Sequence, residues 1–385
     1  MPPIGGATPH QPAAPSANRL WQLARIRTIH YGIGAVGAKL LRLVVDRPDI
    51  EVVGVIDPQS ERVGRDADEA AGINRSLGIN VSYDPELLLR DLAADVVLHS
   101  TESGLAAVYP QILQAISAGR NVISSCGELT FPWVRYPDIA QRLERRAREV
   151  GVRVLGIGVS TGFVMDALSL VSVAACQQIK SLQVTRRVGL SPEQLQLGSR
   201  VGAGLSLQGF QMAVSKGVIG HVGLRESLFM IADTLGWRLD EVVEVIEPVL
   251  ARERIKTDYF IVDKGYVAGI RQVVRGLMGG REVGRLEVEM SLGVKEPLDQ
   301  IVIDGNPPIS VHIPGGVQDE LTAAALMTNC IPAVVHGRAA GLLFMRDMPM
   351  APYRGPGLER GPALQSQETS CTPRAAQALG MTADK

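Results

Sequence analysis

A chain of 385 residues is long for one hydrophobic core and suits two domains. Lys and Arg total 39 against 40 Asp and Glu, a formal net charge of -1, which favours neither a nucleic acid nor an anionic membrane as partner. Cys126, Cys176, Cys330 and Cys371 show no C-x-x-C spacing and follow no secretory signal, so the expectation is a reducing, cytoplasmic protein without disulfides or a cysteine zinc site.

Residues 1–20, rich in Pro, Ala and Gly, are expected to be a disordered tail. A dinucleotide-binding domain is expected over residues 21–162. It opens with the apolar run Thr28–Tyr31, which enters Gly32-Ile33-Gly34-Ala35-Val36-Gly37 and then a helix over residues 38–45. In this G-x-G-x-x-G order Gly32 permits a tight turn, Gly34 lets backbone approach a pyrophosphate, and Gly37 allows helix and strand to pack closely. The helix start, Ala35 and Val36 included, offers unpaired N–H groups and a positive dipole end to phosphates. About twenty residues on, the strand Glu51–Ile56 ends in Asp57, placed to accept from the adenosine ribose hydroxyls. This order points to NAD or NADP. Asp57 repels a 2′-phosphate and favours NAD, whereas Arg62 and Arg65 suit that phosphate, so both cofactors stay open.

Further along, a helix is expected over Tyr83–Leu92, a buried strand over Asp95–Ser100, and a helix over Tyr109–Ala118 that stops at Gly119. Asn121–Ser125 reads as a strand, Pro137–Val150 as a helix and Val152–Gly156 as a strand. Arg142, Arg145, Arg146 and Arg148 alternate with Glu144 and Glu149 at helical spacing, which describes a solvated face rather than a basic patch. The repetition of short apolar strands and helices implies an α/β fold, a Rossmann-type doubly wound parallel sheet.

Val154–Ile179 is apolar enough to raise a membrane span, but Gly156, Gly158, Gly162 and Asp166 break it, so a strand, a loop and a helix Phe163–Ala175 are expected instead. A second, α+β domain for substrate binding and dimerisation is expected over residues 163–314. Ser181–Thr185 and Arg285–Leu292 alternate like strands, and Leu224–Leu235 and Leu239–Val249 read as helices. Over residues 315–354, helices Asp319–Asn329 and Ala333–Gly341 are expected to return to the first domain, and residues 355–385 to form a disordered tail.

In an open parallel sheet, ligands sit outside the carboxyl ends of the strands. Three such ends carry candidates: Ser100-Thr101-Glu102-Ser103-Gly104, Ser124-Ser125-Cys126-Gly127-Glu128, and residues 156–162 with Ser160. Ser100, Thr101 and Ser160 suit a backbone lying against a nicotinamide ribose. Glu102 and Glu128 are carboxylates within reach of the hydride or, equally, solvated loop acids; the apolar residues 129–133 beside Glu128 suggest a dry pocket that raises its pKa. His221, flanked by Gly220 and Gly223, is a substrate ligand, a proton donor or a core histidine. Arg186 and Arg187 anchor an anion or a surface salt bridge. The six histidines lack metal-binding spacing, so no metal is expected.

From about Arg27 to Pro352 the chain resembles the 2,4-diaminopentanoate dehydrogenases and native amine dehydrogenases, distant relatives of dihydrodipicolinate reductase. Asn121–Leu129, Gly158–Asp166, Gly202–Ser206, Gly220–Ser227, Ile313–Gly316 and Thr322–Ala325 with Asn329–Pro332 carry the resemblance. It implies reversible NAD(P)-dependent oxidative deamination of a small amine to a ketone plus ammonia, by a homodimer, with Glu128 as the carboxylate that holds ammonia and moves its protons. The chain departs from the family pattern at Gly127, where the family has a first of two acids, and at Ser160-Thr161, where it has Asn-Pro; Glu102 is the alternative carboxylate. Competing readings are a dihydrodipicolinate reductase-like imine or enoyl reductase, whose paired histidines are missing here, and a non-catalytic dinucleotide-binding paralogue.

Overall fold

The structure, a computed structural model, describes residues 25–59, 61–190, 200–257 and 261–348. Both expected tails lie outside the described residues. The first half of the chain alternates β1 (Ile26–Tyr31), α1 (Ala35–Val45), β2 (Ile50–Ile56), α2 (Ala67–Ala71), β3 (Val81–Ser82), α3 (Pro85–Asp91), β4 (Val96–His99), α4 (Leu105–Ser117), β5 (Asn121–Ser124), α5 (Pro137–Val150) and β6 (Arg153–Gly156). The second half holds α6 (Ala167–Val173), β7 (Gln178–Gly189), α7 (Leu207–Ser215), α8 (Leu224–Leu235), β8 (Glu241–Leu250), β9 (Ile255–Lys256), β10 (Ile261–Val262), β11 (Val267–Met278), β12 (Arg281–Ser291), β13 (Leu298–Asn306), β14 (Ile309–Pro314), α9 (Asp319–His336) and β15 (Gly341–Leu343).

Seven strands form the first sheet in the order β15-β6-β5-β4-β1-β2-β3, and every pair is parallel. This is the doubly wound arrangement expected from the sequence, with the chain reversing direction across the sheet between β1 and β4. Every residue of β4 is buried, as a strand covered on both faces requires. Helices α4 and α5 cover one face through Leu105, Ile112, Ala115 and Leu143. On the other face Leu40 and Val44 of α1 meet Met327, Ile331 and Val334 of α9 over Val96, Ile123 and Leu155. Helix α9 packs on the first sheet, where each large apolar side chain it buries contributes about 2 kcal/mol.

The second sheet has six strands in the order β14-β13-β7-β12-β11-β8. It is antiparallel except for β7 beside β12. Its inner face packs Leu182, Val184, Leu286 and Val274 against Leu224, Leu228 and Ile231 of α8.

Several expected elements differ. Leu239–Val249 is not a helix but strand β8, paired with β11. Val242, Val243, Val245, Ile246 and Val249 are β-branched and suit a pleated surface, and Pro248 is tolerated because β8 is an edge strand. The two helices expected after residue 315 are one, α9, which runs through Pro332. Its buried residues Met327, Cys330, Ile331 and Val334 lie on one stripe across that proline, and their burial outweighs the roughly 3 kcal/mol cost of an interior proline. Helix α6 begins at Ala167 rather than at Phe163, because Gly162 stands at φ +94° and the Asp166 carboxylate caps the helix through the Ala167 N–H. Strands β3 and β15 and helix α2 were not foreseen; they are two, three and five residues long, too short to show periodicity. No helix among the described residues is long and apolar enough to cross a membrane.

Candidate active site

The carboxyl ends of β1 and β4 meet at the glycine turn. Gly32 has φ +99°, and a Cβ placed on it would lie 2.6 Å from the Ser100 carbonyl oxygen. A Cβ on Gly37 would lie 2.1 Å from the Gly32 oxygen, which is the close helix–strand contact the motif demands. A Cβ on Gly34 meets nothing within 4 Å. Its space is open on the side where the first turn of α1 presents N–H groups without intrahelical partners, Ala35, Val36 and Gly37 among them. No side chain caps this helix start, which leaves it to an anion.

Asp57, buried at the end of β2, braces the turn. One carboxylate oxygen accepts the Ile33 N–H at 2.8 Å and Arg62 Nη1 at 2.9 Å; the other accepts the Gln59 N–H at 2.9 Å. Arg65 is exposed nearby. Ser100 Oγ donates to the Gly32 carbonyl at 3.0 Å, so this hydroxyl holds the turn from behind. Thr101 Oγ1 donates to Gln111 Oε1 at 2.8 Å, and His99 lies between Gln111 and Ser124 at 2.7 and 2.9 Å. The hydroxyls of Ser100 and Thr101 therefore bond within the protein, and what these two residues leave for a cofactor is backbone. Ser160 is half-buried at the start of the turn Ser160–Val164 after β6.

Glu128 lies in the 3-10 turn Gly127–Thr130 beyond β5 and is 4% exposed. One oxygen accepts the Leu105 N–H at 2.8 Å, the first amide of α4; the other faces Arg135 Nη1 at 3.2 Å and Tyr136 Oη at 3.4 Å. Glu128 is buried, and both of its carboxylate oxygens are engaged. The same guanidinium reaches a second acid: Arg135 Nε stands 3.3 Å from Glu226 Oε1. Glu226 is 0% exposed, and neither of its oxygens has a hydrogen-bond partner. Burial pushes the Glu226 carboxyl up; Glu128 and Glu244 add to this and Arg135 opposes it. Glu102, one strand away, is exposed.

Helix α8 carries Glu226 and is pinned over the strand ends. Asp166 accepts Ser227 Oγ at 2.5 Å and the Gly162 N–H at 2.7 Å, joining α8 to the turn after β6. A Cβ on Gly223 would come within 2.8 Å of Thr161 Oγ1, and one on Gly127 within 3.3 Å of the same atom, so Thr161 fills the space between these two glycines. His221 precedes α8; its N–H donates to Gln272 Oε1 at 2.7 Å and its carbonyl accepts from Gln272 Nε2 at 3.1 Å. Its Nδ1 is buried without a partner, and burial, with the charge of Arg186, pushes the ring down to about 4. A neutral ring keeps one N–H donor and one acceptor nitrogen for a ligand. Arg186 is not a surface residue. It lies inside β7, fully buried, bound to both oxygens of Asp299 at 2.8 and 2.7 Å and to Asp319 at 2.6 Å. With two carboxylates on it, it has no charge left for an anion. Arg187, on the opposite face, stands 3.9 Å from Glu289.

A cleft of about 430 Å³ is lined by Phe131, Trp133, Phe229, Trp237, Leu239 and Arg346, among others. The glycine turn, Glu128 and Glu226 are not in its lining, so it lies beside the strand-end site rather than forming it. Among the described residues no group of three His, Cys, Asp or Glu side chains is placed to hold a metal ion.

Comparison with known proteins gives the family. The 2,4-diaminopentanoate dehydrogenase of Acetoanaerobium sticklandii is 30% identical over 344 residues, covering 85% of this chain and 94% of its own. The chain belongs to the 2,4-diaminopentanoate dehydrogenase family. The family model described as the 2,4-diaminopentanoate dehydrogenase C-terminal domain matches residues 163–353. An amine dehydrogenase from Streptomyces virginiae is 24% identical, covering 86% of this chain and 98% of its own. In structure, the amine dehydrogenase from Mycobacterium smegmatis superimposes with a TM-score of 0.77 at 20% identity, over 86% of this chain and 98% of that one, a likeness of fold.

The glycine turn, Asp57 and Glu128 lie beyond the carboxyl ends of β1, β2 and β5. Glu226 and Arg135 were not singled out. A signal for Glu226 was present: Leu224, Ser227, Leu228 and Ile231 mark the buried face of α8, and Glu226 and Met230 lie along its flank. An acid one position off an apolar stripe is a candidate for burial.

Proposed function

We propose that this protein catalyses the reversible, NAD(P)-dependent oxidative deamination of a small amine to a ketone and ammonia, as a cytoplasmic homodimer. The observation that carries the reading is the Glu128–Arg135–Glu226 cluster at the β4 and β5 ends beside the glycine turn, in a chain of the 2,4-diaminopentanoate dehydrogenase family. Two carboxylates on one guanidinium leave an excess negative charge in a dry site. This favours an ammonium, an amine or a cationic iminium over an anionic substrate.

The residues present fit a nicotinamide dinucleotide. The open face of Gly34 and the free amides of Ala35, Val36 and Gly37 would hold its pyrophosphate. Asp57 accepts three donors of its own and keeps one acceptor position for a ribose hydroxyl, while Arg62 at its side tolerates a 2′-phosphate. The backbone at Ser100, Thr101 and Ser160 would take the nicotinamide half. The bound cofactor supplies or takes the hydride. The protein supplies orientation, exclusion of water and a proton path: Glu128 fixes Arg135 and the α4 start, His221 hydrogen-bonds the substrate as a neutral ring, and Glu102 stands at the solvent edge.

No two histidines are adjacent in the chain, so a dihydrodipicolinate reductase-like reaction is not favoured. The test is oxidation of NADH and NADPH with a panel of small ketones and aldehydes at alkaline pH, with and without saturating ammonium. Turnover that requires ammonium is expected. Cofactor binding with no such turnover, across the panel, sinks the reading and leaves a non-catalytic dinucleotide-binding protein.

A further inference from the structure

Glu226 is the one member of the strand-end cluster whose structural work does not account for its chemistry. Glu128 satisfies the first amide of α4, Asp166 caps α6 and joins it to α8, and Arg186 ties β7 to β13 and α9. Glu226 is as deeply buried as these, and neither oxygen is hydrogen-bonded. A carboxylate taken out of water without donors is costly, and a merely structural position would be filled better by Gln or Met. Its charged contact is Arg135, whose side chain is 41% exposed and therefore the solvent-side member of the pair.

We propose that Glu226 is a catalytic residue of the amine dehydrogenase reaction, the carboxylate that takes a proton from ammonium and returns it to the departing hydroxyl. The inference rests on the function proposed above. Ammonium replaces the Arg135 guanidinium at Glu226 Oε1, one N–H donor for another, as that flexible side chain moves toward solvent. In the aminating direction ammonium gives one proton to the Glu226 carboxylate and becomes ammonia. Ammonia adds through its lone pair to the ketone carbon; the C–N bond forms, and a proton passes from nitrogen to the former carbonyl oxygen to give the neutral carbinolamine. Glu226, now a carboxylic acid, protonates the hydroxyl, which leaves as water while nitrogen forms the iminium double bond, and the carboxylate is restored. A bound reduced nicotinamide would supply the hydride that converts this iminium to the neutral amine. The sum is ketone, ammonium and reduced cofactor converted to amine, water and oxidised cofactor.

The surroundings suit a group that must be both base and acid. Besides Arg135, the titratable groups that face Glu226 are Glu128 and Cys126 beyond β5, Tyr136 at the start of α5 and Glu244 on β8. Two of these four, Glu128 and Glu244, are carboxylates that add to burial in raising the Glu226 carboxyl, which narrows the proton-transfer gap to ammonium. Asp166 and Ser227 hold the helix turn that carries it.

The test begins with the unaltered protein and a ketone that shows ammonium-dependent turnover. Glu226→Gln keeps shape and burial while removing the exchangeable proton. It is expected to lower kcat at least 100-fold, to abolish the limb of the pH–rate profile that belongs to a raised carboxyl, and to leave the Kd for NADH within about threefold. Arg135→Gln is the second variant; with its opposing charge removed, that limb moves to higher pH. A third readout needs no turnover: stabilisation of the NAD-loaded protein by ammonium chloride, relative to sodium chloride, is lost in Glu226→Gln. If the unaltered protein shows no ammonium-dependent turnover, the proposed function falls and this inference with it. If it turns over and Glu226→Gln matches it within threefold with an unmoved pH profile, this inference alone is overturned. If Glu226→Gln does not fold, an unmoved limb in Arg135→Gln overturns it.

Discussion

A carboxylate oxygen of Asp57 accepts the Ile33 N–H at 2.8 Å, so the end of β2 holds the middle residue of the glycine turn in place. The acid therefore shapes the phosphate cradle from within as well as standing beside the ribose. Because the bond is buried and charge-assisted, its loss costs about 2 kcal/mol of cradle geometry. Asp57→Ala is expected to raise the Kd for NADH and for NADPH together by at least about tenfold, measured by fluorescence titration. A change confined to NADH would mean that Asp57 acts through the ribose alone.

The two inner glycines of the turn separate fold from binding. Gly34→Ala places its methyl group in open space, and the thermal midpoint is expected to stay within about 2 °C of the parent while cofactor affinity falls more than about tenfold. Gly37→Ala forces a methyl group to within 2.1 Å of the Gly32 oxygen and is expected to lower the midpoint as well as the affinity. Differential scanning calorimetry with and without NADH checks both. Equal loss of stability in the two variants would contradict the geometry.

Three histidines with depressed pKa values, two of them buried and His221 half-buried, make the fold acid-sensitive. Burial pushes His30 down to about 3 and His99 and His221 to about 4. Above pH 6.5 both folded and unfolded chains hold them neutral. As pH falls below 6.5 the unfolded chain takes up protons that the folded chain refuses, so stability declines toward pH 4, by up to about 1.4 kcal/mol per pH unit for each ring. Neither ring nitrogen of His30 has a hydrogen-bond partner. His30→Leu is expected to stabilise the fold by about 1–3 kcal/mol at pH 7.5 and by more at pH 5. Urea unfolding at both pH values measures the difference, and an equal gain at the two would remove His30 from the acid response.

Glu128 has two separable roles. Glu128→Ala leaves the Leu105 N–H without an acceptor and deprives Arg135 and Tyr136 of theirs; a loss of about 3 kcal/mol in unfolding free energy is expected. Glu128→Gln retains a carbonyl oxygen for the Leu105 N–H and is expected to keep more than half of that stability, while lowering turnover by removing one of the two negative charges that favour an ammonium. Chemical denaturation and steady-state assays on the pair test this; an alanine variant as stable as the parent would mean that the α4 start does not depend on Glu128.

The first sheet was legible because its signals are local. Gly32, Gly34 and Gly37 have spacings that only a tight strand–helix turn uses, and β4, β5 and β6 are short apolar runs with no polar period. The edge strand β8 was misread because its valines and isoleucines fit a helical stripe as well as a pleat. What decided it was the partner strand β11, 17 or more residues away in the register from Val242↔Gly276 to Leu250↔Val267. Likewise the run through Pro332 reads as a break until the buried stripe of α9 is set against α1 and β4.

At the active site, the sequence by itself determined the cofactor cradle, the acid at Asp57 and the candidacy of Glu128, since each is written in residues within one turn or one strand end. The pairing of Glu128 with Glu226 through Arg135 was decided only by the tertiary structure. Those two acids are brought together by the return of α8 over the strand ends, held by Asp166 and Ser227. Whether a carboxyl is hydrated or dry, and whether a histidine such as His221 is charged or neutral, follows from which surfaces close over it. That is a property of packing between distant segments, and periodicity along the chain does not encode it.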